Sequence, residues 1–372
     1  MSGAMTGRIV VFGATGYTGR LVAERLAGAG ERPVLAGRSP EKLQTLADSL
    51  GGLETAHGDV MRSNSVFELV EAGDVLVSTV GPFTKWGEPA VRAAITGHAA
   101  AYIDSTGEPA FIRRVFQNHG PIAKQAGVPL LTAMGYDFVP GALAGALALE
   151  EAGEDAVRVD VGYYALGMTT QSGSTGTRAS LVGASLDESH AYRDGALRNV
   201  RTAERVRSFP VKDKERAAVS VGGAEHLSLP GTYPQLQEVN VYLGWFGPFA
   251  RPMQAGSLVG SVATRLPGVR EALTFAGERL AALAEGPDAG TTPDGESWIA
   301  AQAFDGAGHQ LAEVHLSGGN WYAFTADFIA WAARAAAGGR VNGAGALGPV
   351  EALGLEELER GCALAGLSRV TD

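Results

Sequence analysis

The sequence contains one cysteine, Cys362, among 372 residues. A single thiol excludes a disulfide within the chain and any cluster of metal-binding cysteines. Such sparing use of cysteine is typical of proteins in a reducing compartment. We therefore expect a cytoplasmic protein. Because Cys362 lies in a predicted C-terminal helix, we interpret it as a small apolar residue.

Long apolar runs are also missing from the sequence. No segment reaches the roughly 20 apolar residues of a membrane-spanning helix. The longest candidates, such as VPGALAGALAL, are interrupted by turn residues or flanked by charge. The first residues, MSGAMTGR, contain no apolar core of signal-peptide length. We therefore expect a soluble protein without a membrane span.

Basic residues are fewer than acidic ones, with 30 Lys and Arg against 40 Asp and Glu and a formal net charge of -10. This balance argues against nucleic acid or an anionic membrane surface as the main partner, because both bind positively charged surfaces. A local basic pocket, such as one for a small-molecule substrate, is compatible with this balance.

Several familiar catalytic signatures are missing as well. No tyrosine lies four positions before a lysine, which excludes the tyrosine–lysine pair of short-chain dehydrogenases. There is no HExxH or other paired-histidine spacing for a metal. There is also no GxSxG nucleophile turn and no GxxxxGK[ST] phosphate loop. The sequence thus predicts no metal site, no serine nucleophile of this type and no ATP chemistry through a P-loop.

Short apolar runs alternate with helical patterns over the first 135 or so residues. This alternation is typical of βαβ units and predicts a doubly wound parallel sheet of the Rossmann type, with ligands at the carboxyl ends of its strands. The predicted strands are Ile9–Phe12, Pro33–Ala36, Leu53–Ala56, Asp74–Val80, Ala101–Ile103 and Val128–Thr132.

The pattern changes after about residue 140. The stretches AVRVDVGYYALG, LQEVNVYLGWFG and HQLAEVHLSGG alternate in polarity, which predicts strands of a mixed or antiparallel sheet. We interpret the polar TTQSGSTGT and the charged VRSFPVKDKER as connections between these strands. Helical spacing returns from Trp321, and Gly338 and Gly339 are stop signals for the first of these helices.

The predicted fold class is α/β, with a second α+β domain and a helical tail. We place a dinucleotide-binding domain at residues 1–140 and a sheet-rich substrate or dimerisation domain at 141–320. A helical segment at 321–372 is expected to pack back on the first domain. A homodimer through the second sheet is a further hypothesis.

A glycine-rich turn joins the first predicted strand to the first helix, in RIVVFGATGYTGRLVAERL. Gly13 permits a tight turn, Gly16 lets a pyrophosphate approach the backbone, and Gly19 lets the helix pack closely on the sheet. The helix N-terminus would then face the phosphates. A purely structural glycine turn is the alternative. The predicted cofactor contacts of this loop are Gly13, Thr15, Gly16, Tyr17, Thr18 and Gly19.

The second predicted strand is followed by Arg38. An acidic residue at this position would bind the adenosine ribose of NAD, whereas the planar guanidinium of an arginine suits a 2′-phosphate. The sequence therefore predicts NADP(H) over NAD(H), with a solvated surface arginine as the alternative.

Two further loops fall where cofactor contacts belong. Asp59 and Val60 follow the third strand and are predicted to meet the adenine, although Asp59 is equally well explained as a helix N-cap. The fourth strand leads into a loop in which Gly81 leaves room for a ribose and Phe83 lines the nicotinamide pocket. A loop-forming Gly-Pro with a core phenylalanine is the alternative. The predicted contacts here are Thr79, Gly81, Pro82 and Phe83.

Five motifs in order carry a family resemblance: GATGYTG, AGR, VGPFTKWGEPAVRAA, AAYIDSTGEPAF and MGYDFVPG. Over about residues 8–150 the sequence resembles the saccharopine dehydrogenase-like oxidoreductases, a family that includes trans-acting enoyl reductases. The resemblance implies hydride transfer between NADP(H) and a substrate, and a second α/β domain after the dinucleotide fold. Residues 155–320 show no comparable match.

Candidate proton donors follow three predicted strands. Tyr136 and Asp137 are the best pair, and Lys85 is a third candidate. Asp137 as the cap of a helix that begins at Val139 and Lys85 as a solvated surface residue are the alternatives. Glu88, Asp104, Thr106 and Glu108 lie on the same loops.

The second domain offers weaker signals. Residues 173–177 suit a substrate loop or a helix start, and the apolar run Tyr242–Phe249 suits a pocket, a core or a subunit interface.

We predict reduction of a polarised C=C bond of enoyl type. A C=N bond is the alternative, since an imine substrate would need arginines and Arg178, Arg193, Arg198 and Arg201 are clustered. A sensor or scaffold that binds NADP(H) without turnover is an alternative from another class.

Overall fold

The computed structural model describes residues 7–166, 189–245, 250–263 and 295–370. These residues divide into two compact units, each built from discontinuous parts of the chain. Within the described ranges, the first unit comprises residues 7–106, 111–136 and 322–365. The second unit comprises residues 107–110, 137–321 and 366–370.

The strands and helices are numbered in chain order. The strands are β1 Ile9–Phe12, β2 Val34–Gly37, β3 Thr55–His57, β4 Val75–Ser78, β5 Ala101–Asp104, β6 Pro129–Leu131, β7 Arg158–Leu166, β8 Ser189–Arg193, β9 Ala196–Val200, β10 Val206–Val211, β11 Lys214–Val221, β12 Glu238–Leu243, β13 Glu296–Phe304, β14 Gln310–Gly318, β15 Gly345–Ala346 and β16 Leu367–Arg369. The α-helices are α1 Tyr17–Gly28, α2 Pro40–Ser49, α3 Ser63–Phe67, α4 Phe83–Trp86, α5 Glu88–Thr96, α6 Pro109–Arg114, α7 Gly120–Ala126, α8 Val139–Ala152, α9 Glu225–Thr232, α10 Ala250–Ala263, α11 Trp321–Ala337, α12 Pro349–Leu353 and α13 Leu355–Leu364. A π-helical turn, Val115–His119, precedes α7.

A parallel sheet of seven strands forms the centre of the first unit. Its order is β15-β6-β5-β4-β1-β2-β3, and all of its strand pairs are parallel. The order reverses beside β1, since β2 and β4 pair with it on opposite sides. The predicted Rossmann-type sheet is therefore confirmed. Six strands overlap the predicted regions, and three of them, β2, β3 and β5, extend one residue farther. The seventh, β15, was not indicated by the sequence pattern.

The core of the first unit lies on this sheet. Every residue of β1, β2, β4 and β5 is buried, as expected for strands covered by helices on both faces. Val10, Phe12 and Leu76 belong to one apolar cluster with residues of the covering helices. Because β-branched and aliphatic side chains fill both faces, these strands read as continuous apolar runs.

The helix α11 belongs to the first unit from Tyr322 onward and packs on α1. Nε of Arg25 lies 2.6 Å from Oδ1 of Asp327, and Nε of Arg334 lies 3.0 Å from Oε1 of Glu31. The helix ends where predicted, because Gly338 follows its last residue and Gly339 adopts a φ of 69°.

The second unit contains a mixed sheet, which confirms the predicted sheet class. Its main path is β10-β11-β12-β7-β13-β14-β16, with β8 pairing β12 and β9. The pair β7–β12 is parallel and the other pairs are antiparallel. Helix α8 packs against β7, β13 and β14, and its first eleven residues are buried.

Two parts of the second unit differ from the sequence-based expectation. The stretch VRSFPVKDKER, expected to be a connection, supplies β10 and the start of β11, paired from Val206–Val219 to Val211–Lys214. The tight turn between them places Lys212 at a φ of 57°. The sequence pattern did not indicate this hairpin, because charged residues occupy many of its exposed positions. Strand β13 had no predicted counterpart, since its run SWIAAQAF is buried on both faces and does not alternate.

Within the described part of the chain, no helix combines the length and the apolar character that crossing a membrane requires.

Candidate functional site

The glycine loop follows β1 and closes against two neighbouring strands. The backbone N–H groups of Gly13 and Ala14 donate to the carbonyl of Ala36, at 2.9 and 3.1 Å. Gly13 adopts a φ of 90°, and a Cβ added there would lie 2.7 Å from Oγ1 of Thr79. A Cβ on Gly19 would lie 2.3 Å from the carbonyl oxygen of Gly13. A side chain at either position would therefore disrupt the turn.

The loop also presents an open helix end. The N-cap of α1 is Gly16, which has no side chain that could cap the helix. The first turn also contains no acidic residue. Thr15 and Gly16 are exposed. The first backbone N–H groups of a helix favour an anion when no side chain occupies them. These residues therefore fit the diphosphate of a dinucleotide.

Arg38 follows β2 directly and is exposed. Oγ1 of Thr15 in the glycine loop would lie 3.9 Å from a Cβ on the neighbouring Gly37, so the two loops lie side by side. The nearby Glu41 carboxylate accepts a hydrogen bond from Oγ of Ser39 at 3.2 Å. Arg38 thus directly follows a residue that lies beside the loop, at the end of the strand that usually contacts the adenosine ribose.

The third loop contains Asp59 and Val60, which are both half-buried. Oδ1 of Asp59 accepts a hydrogen bond from the N–H of Met61 at 3.0 Å, while its own N–H donates to Oγ of Ser65. The N-cap of α3 is Arg62. Asp59 therefore stabilises the turn before α3, and the N-cap role considered from the sequence falls to another residue.

The fourth loop begins with Thr79, whose Oγ1 donates toward the carbonyls of Phe12 and Gly13 at 3.2 and 3.3 Å. Gly81 and Pro82 follow and are exposed. Phe83 is only 6% exposed, and its ring packs on Phe111 with centroids 5.5 Å apart. This packing supports the core alternative for Phe83, while the exposed Gly81 remains at the loop edge.

Two of the candidate proton donors belong to the first unit. Lys85 is exposed, and its Nζ lies 4.8 Å from the ring centroid of Trp86. Tyr136 is 3% exposed and follows the loop after β6. Its backbone N–H donates to Oγ1 of Thr325 at 3.0 Å, and its ring contacts Phe324 edge to face at 6.1 Å. Tyr136 is thus held tightly, whereas Lys85 is a surface side chain.

Asp137, the remaining candidate proton donor, belongs to the second unit. Burial raises the pKa of its carboxyl from 3.8 to about 6. The N-cap of α8 is Phe138, which has no side-chain cap hydrogen bond, so Asp137 does not cap that helix. Gly107 permits its close approach, because a Cβ there would lie 2.9 Å from Oδ2 of Asp137. A carboxyl with a raised pKa holds its proton closer to neutral pH than an ordinary aspartate.

Asp104 at the end of β5 is fully buried, and burial raises its pKa to about 6. Its carboxylate accepts hydrogen bonds from the N–H groups of Thr106 and Ala133 at 3.0 and 2.9 Å. Oγ1 of Thr132 donates a third at 2.8 Å. Because these bonds join the loops after β5 and β6, we assign Asp104 a structural role.

Residues 13–139 match a family model described as NAD(P)H-binding. These residues form an NAD(P)H-binding domain. The match begins at the first glycine of the loop and ends at the first residue of α8.

Part of the chain is also similar to curated relatives. A trans-acting enoyl reductase of Mycobacterium leprae is 37% identical over 142 residues, which cover 36% of this chain and 34% of that protein. A lipid droplet localized protein of Caenorhabditis elegans is 32% identical over 147 residues, again 36% of this chain and 34% of that protein. The chain thus matches about a third of the length of these relatives. The predicted similarity to trans-acting enoyl reductases is confirmed over 142 residues of the chain.

A solved structure resembles the chain over a greater length. It is an apo saccharopine dehydrogenase (L-Glu forming) from Saccharomyces cerevisiae, with a TM-score of 0.64 and 14% sequence identity. The likeness covers 98% of this chain and 100% of that chain. At this identity the comparison shows a shared fold, and it confirms the predicted saccharopine dehydrogenase-like architecture.

One pair of polar side chains was missed by the sequence analysis. The hydroxyl of Tyr163 in β7 lies 2.6 Å from Oε1 of Glu225 in α9, inside the second unit. The same hydroxyl lies 3.0 Å from the carbonyl of Phe138 and accepts a hydrogen bond from the N–H of Gly141 at 2.8 Å. Burial raises the pKa of Glu225 to about 8, opposed by the Tyr163 hydrogen bond.

The available sequence signal for this pair is the glycine doublet before α9. A Cβ on Gly223 would lie 2.4 Å from Oε2 of Glu225, and one on Gly141 would lie 2.1 Å from the Tyr163 hydroxyl. Small residues therefore surround the pair on two sides.

Some candidate residues of the second domain lie outside the described residues. They are the candidate substrate loop at residues 173–177, Arg178, and residues 246–249 of the aromatic run that begins at Tyr242.

Proposed function

We propose that the protein is an NADPH-dependent reductase that delivers hydride to a polarised C=C bond of enoyl type in a small molecule. The observation that carries the proposal is the open glycine cradle within residues that match an NAD(P)H-binding family model. It is supported by the similarity of part of the chain to trans-acting enoyl reductases. The second unit is the proposed site of substrate specificity, because the matched residues lie almost wholly in the first.

The preference for NADPH over NADH rests on Arg38. It is exposed at the end of β2, next to the glycine loop, and the carboxylate of Glu41 is engaged by Ser39. An arginine at this position binds a 2′-phosphate through paired, charge-assisted hydrogen bonds. A carboxylate there would instead bind the ribose hydroxyls of NADH.

Within the proposed reaction, the glycine loop and the N-terminus of α1 bind the diphosphate and so orient the dinucleotide. NADPH, when bound, supplies the hydride that adds to the electron-poor carbon of the double bond. The adjacent carbon then takes a proton, for which Tyr136 and Asp137 are the candidates. Tyr136 is fixed by Thr325, and the raised pKa of Asp137 keeps part of its population protonated near neutral pH.

The contacts of two of the four clustered arginines, Arg193 and Arg201, favour C=C reduction over the C=N alternative. An imine substrate of the saccharopine type would need arginines for its carboxylates. However, Nη2 of Arg193 lies 2.9 Å from Oε2 of Glu204. Nη1 of Arg201 donates to the carbonyl of Gln254 at 3.1 Å and to Oγ of Ser257. These two guanidinium groups are therefore engaged in contacts within the protein.

The decisive experiment supplies 4-deuterated NADPH with two substrate panels, α,β-unsaturated thioesters and preformed imines. The proposal expects deuterium at the β-carbon of a thioester product and oxidation of NADPH in equal amount. Deuterium only in amines would favour C=N reduction. Binding of NADPH without oxidation across both panels would favour a sensor or scaffold and contradict the proposed reductase activity.

A further inference from the structure

The start of α11, defined here as residues 322–325, contacts two loops of the cofactor site inside the first unit. These residues follow the glycine loop by about 300 positions in the sequence. Neither the resemblance of the N-terminal motifs nor the match over residues 13–139 includes them. Their contacts nevertheless reach both the glycine loop and the loop after β6.

The first contact joins Tyr322 to Tyr17, the first residue of α1. Their ring centroids are 4.9 Å apart and the ring planes meet at 77°, an edge-to-face arrangement. Tyr322 is only 7% exposed, and burial together with Tyr322 raises the pKa of the Tyr17 hydroxyl. Because Tyr17 directly follows Gly16, this ring pair fixes the first turn of the helix whose N-terminus faces the diphosphate.

The second contact joins Thr325 to the loop after β6. Oγ1 of Thr325 accepts the backbone N–H of Tyr136 at 3.0 Å, and the preceding Gly135 leaves room for the threonine. A Cβ on Gly135 would lie 3.0 Å from Cγ2 of Thr325. The ring of Phe324 contacts the Tyr136 ring, so two successive residues of α11 hold Tyr136.

Two ion pairs join the remainder of α11 to α1 and to the residues just after it. Arg25 of α1 pairs with Asp327, and Glu31, three positions after the end of α1, pairs with Arg334. These pairs are largely exposed, so each contributes little to stability. They do, however, join α11 to the last turn of α1 and to the residues that follow it. The start of α11 is thereby held at the glycine loop at a defined position.

We propose that Tyr322 and Thr325 are positioning residues of the cofactor site, which hold the first turn of α1 and the Tyr136 loop in their binding geometry. The inference rests on the proposed binding of NADPH. It assigns part of the nucleotide site to a C-terminal segment that lies outside the N-terminal motifs.

The test measures the dissociation constant of NADPH and the melting temperature in parallel. Tyr322→Leu removes the ring pair, and we expect an NADPH dissociation constant raised about two- to tenfold, the factor that an aromatic pair contributes. Tyr322→Phe keeps the ring and should bind as the wild type does. Thr325→Val removes the acceptor for the Tyr136 N–H and should weaken binding, whereas Thr325→Ser should restore it.

Trp331→Leu is the control for stability. Trp331 lies farther along α11, where it packs on Phe328 of the same helix and on Gly361 of α13. It should lower the melting temperature and leave NADPH binding unchanged. The inference is wrong if folded Tyr322→Leu or, should that variant not fold, Thr325→Val binds NADPH as the wild type does. It is also wrong if Trp331→Leu weakens binding equally. Failure of the wild type to bind NADPH would instead contradict the proposed function.

Discussion

The hydroxyl of Tyr163 and the carboxyl of Glu225 form a buried hydrogen-bonded pair, with the two oxygens 2.6 Å apart. Glu225 is 0% exposed and Tyr163 is 1% exposed. The single hydroxyl proton serves the short contact to Glu225, while the oxygen accepts the N–H of Gly141. The pair thus connects β7, the first turn of α8 and the start of α9 within the second unit.

Stability should depend on pH through Glu225. Its pKa is about 8 in the folded protein against 4.5 when unperturbed, so the unfolded chain releases this proton first as the pH rises. The stabilising contribution of the protonated group is complete below about pH 4.5 and is lost as the pH rises through about 8. Glu225→Gln should flatten this part of the profile of melting temperature against pH. Exposed Glu154→Gln is the control, and an unchanged slope in Glu225→Gln would contradict the assignment.

Tyr163→Phe should destabilise the second unit by about 1–3 kcal/mol, because it leaves a buried carboxyl and the N–H of Gly141 without their partner. Denaturant unfolding measures the loss. The double variant with Glu225→Gln should lose less than the sum of the two single variants, since the residues are in contact. Additive losses would show that the hydroxyl and the carboxyl act independently.

Cofactor choice should depend on Arg38. Arg38→Ala removes the partner of a 2′-phosphate, and we expect the NADPH dissociation constant to rise about 10- to 100-fold, as for loss of hydrogen bonds to a charged group. Affinity for NADH should change less than twofold. Arg32→Ala is a matched control, because Arg32 lies just before β2 and donates to the carbonyl of Gly52. Equal affinity of the wild type for both cofactors would remove the basis of the NADPH preference.

The glycine loop should separate binding from folding. A Cβ on Gly16 would lie 3.2 Å from the Gly13 carbonyl, a contact that a small shift relieves. The same Cβ would enter the space that we propose for the diphosphate. Gly16→Ala should therefore lower NADPH affinity at least tenfold, which corresponds to about 1.4 kcal/mol of binding free energy. The melting temperature should change little. Gly28→Ala at the far end of α1 meets no atom within 4 Å and should bind NADPH normally.

Turnover should reveal the proton donor. If Asp137 donates the proton, kcat should fall as the pH rises through about 6, where its carboxyl ionises, and Asp137→Asn should lose this limb. We expect a reduction of about 10²-fold or more in kcat with unchanged NADPH affinity. Tyr136→Phe is the parallel variant. Near-normal turnover in both would exclude these two residues from proton transfer.

The first unit was predictable because its signals are local. Buried parallel strands give continuous apolar runs, and Gly13, Gly16 and Gly19 mark the turn between strand and helix. For the same reason the position of Arg38 followed from counting along the second strand. The sequence also placed Asp137 before α8, but only the structure distinguishes its raised pKa from a capping role.

The remaining features depend on contacts between distant residues. Strand β15 has two residues and gains its identity only by pairing with β6. Glu225 is 62 residues from Tyr163, and its burial depends on packing that no local pattern encodes. The charged hairpin β10–β11 was missed because its exposed residues masked the alternation. Features of this kind require three-dimensional information.

The seventh strand of the parallel sheet has a consequence for the order in which the chain can fold. During synthesis, residues 7–136 emerge long before β15 and α11, which complete the same unit. Until then the edge of β6 that pairs with β15 is open, and Tyr17 lacks its ring partner Tyr322. Unpaired strand edges of this kind favour aggregation or capture by chaperones. We therefore expect the nascent first unit to become protease-resistant only after residue 346 has left the ribosome.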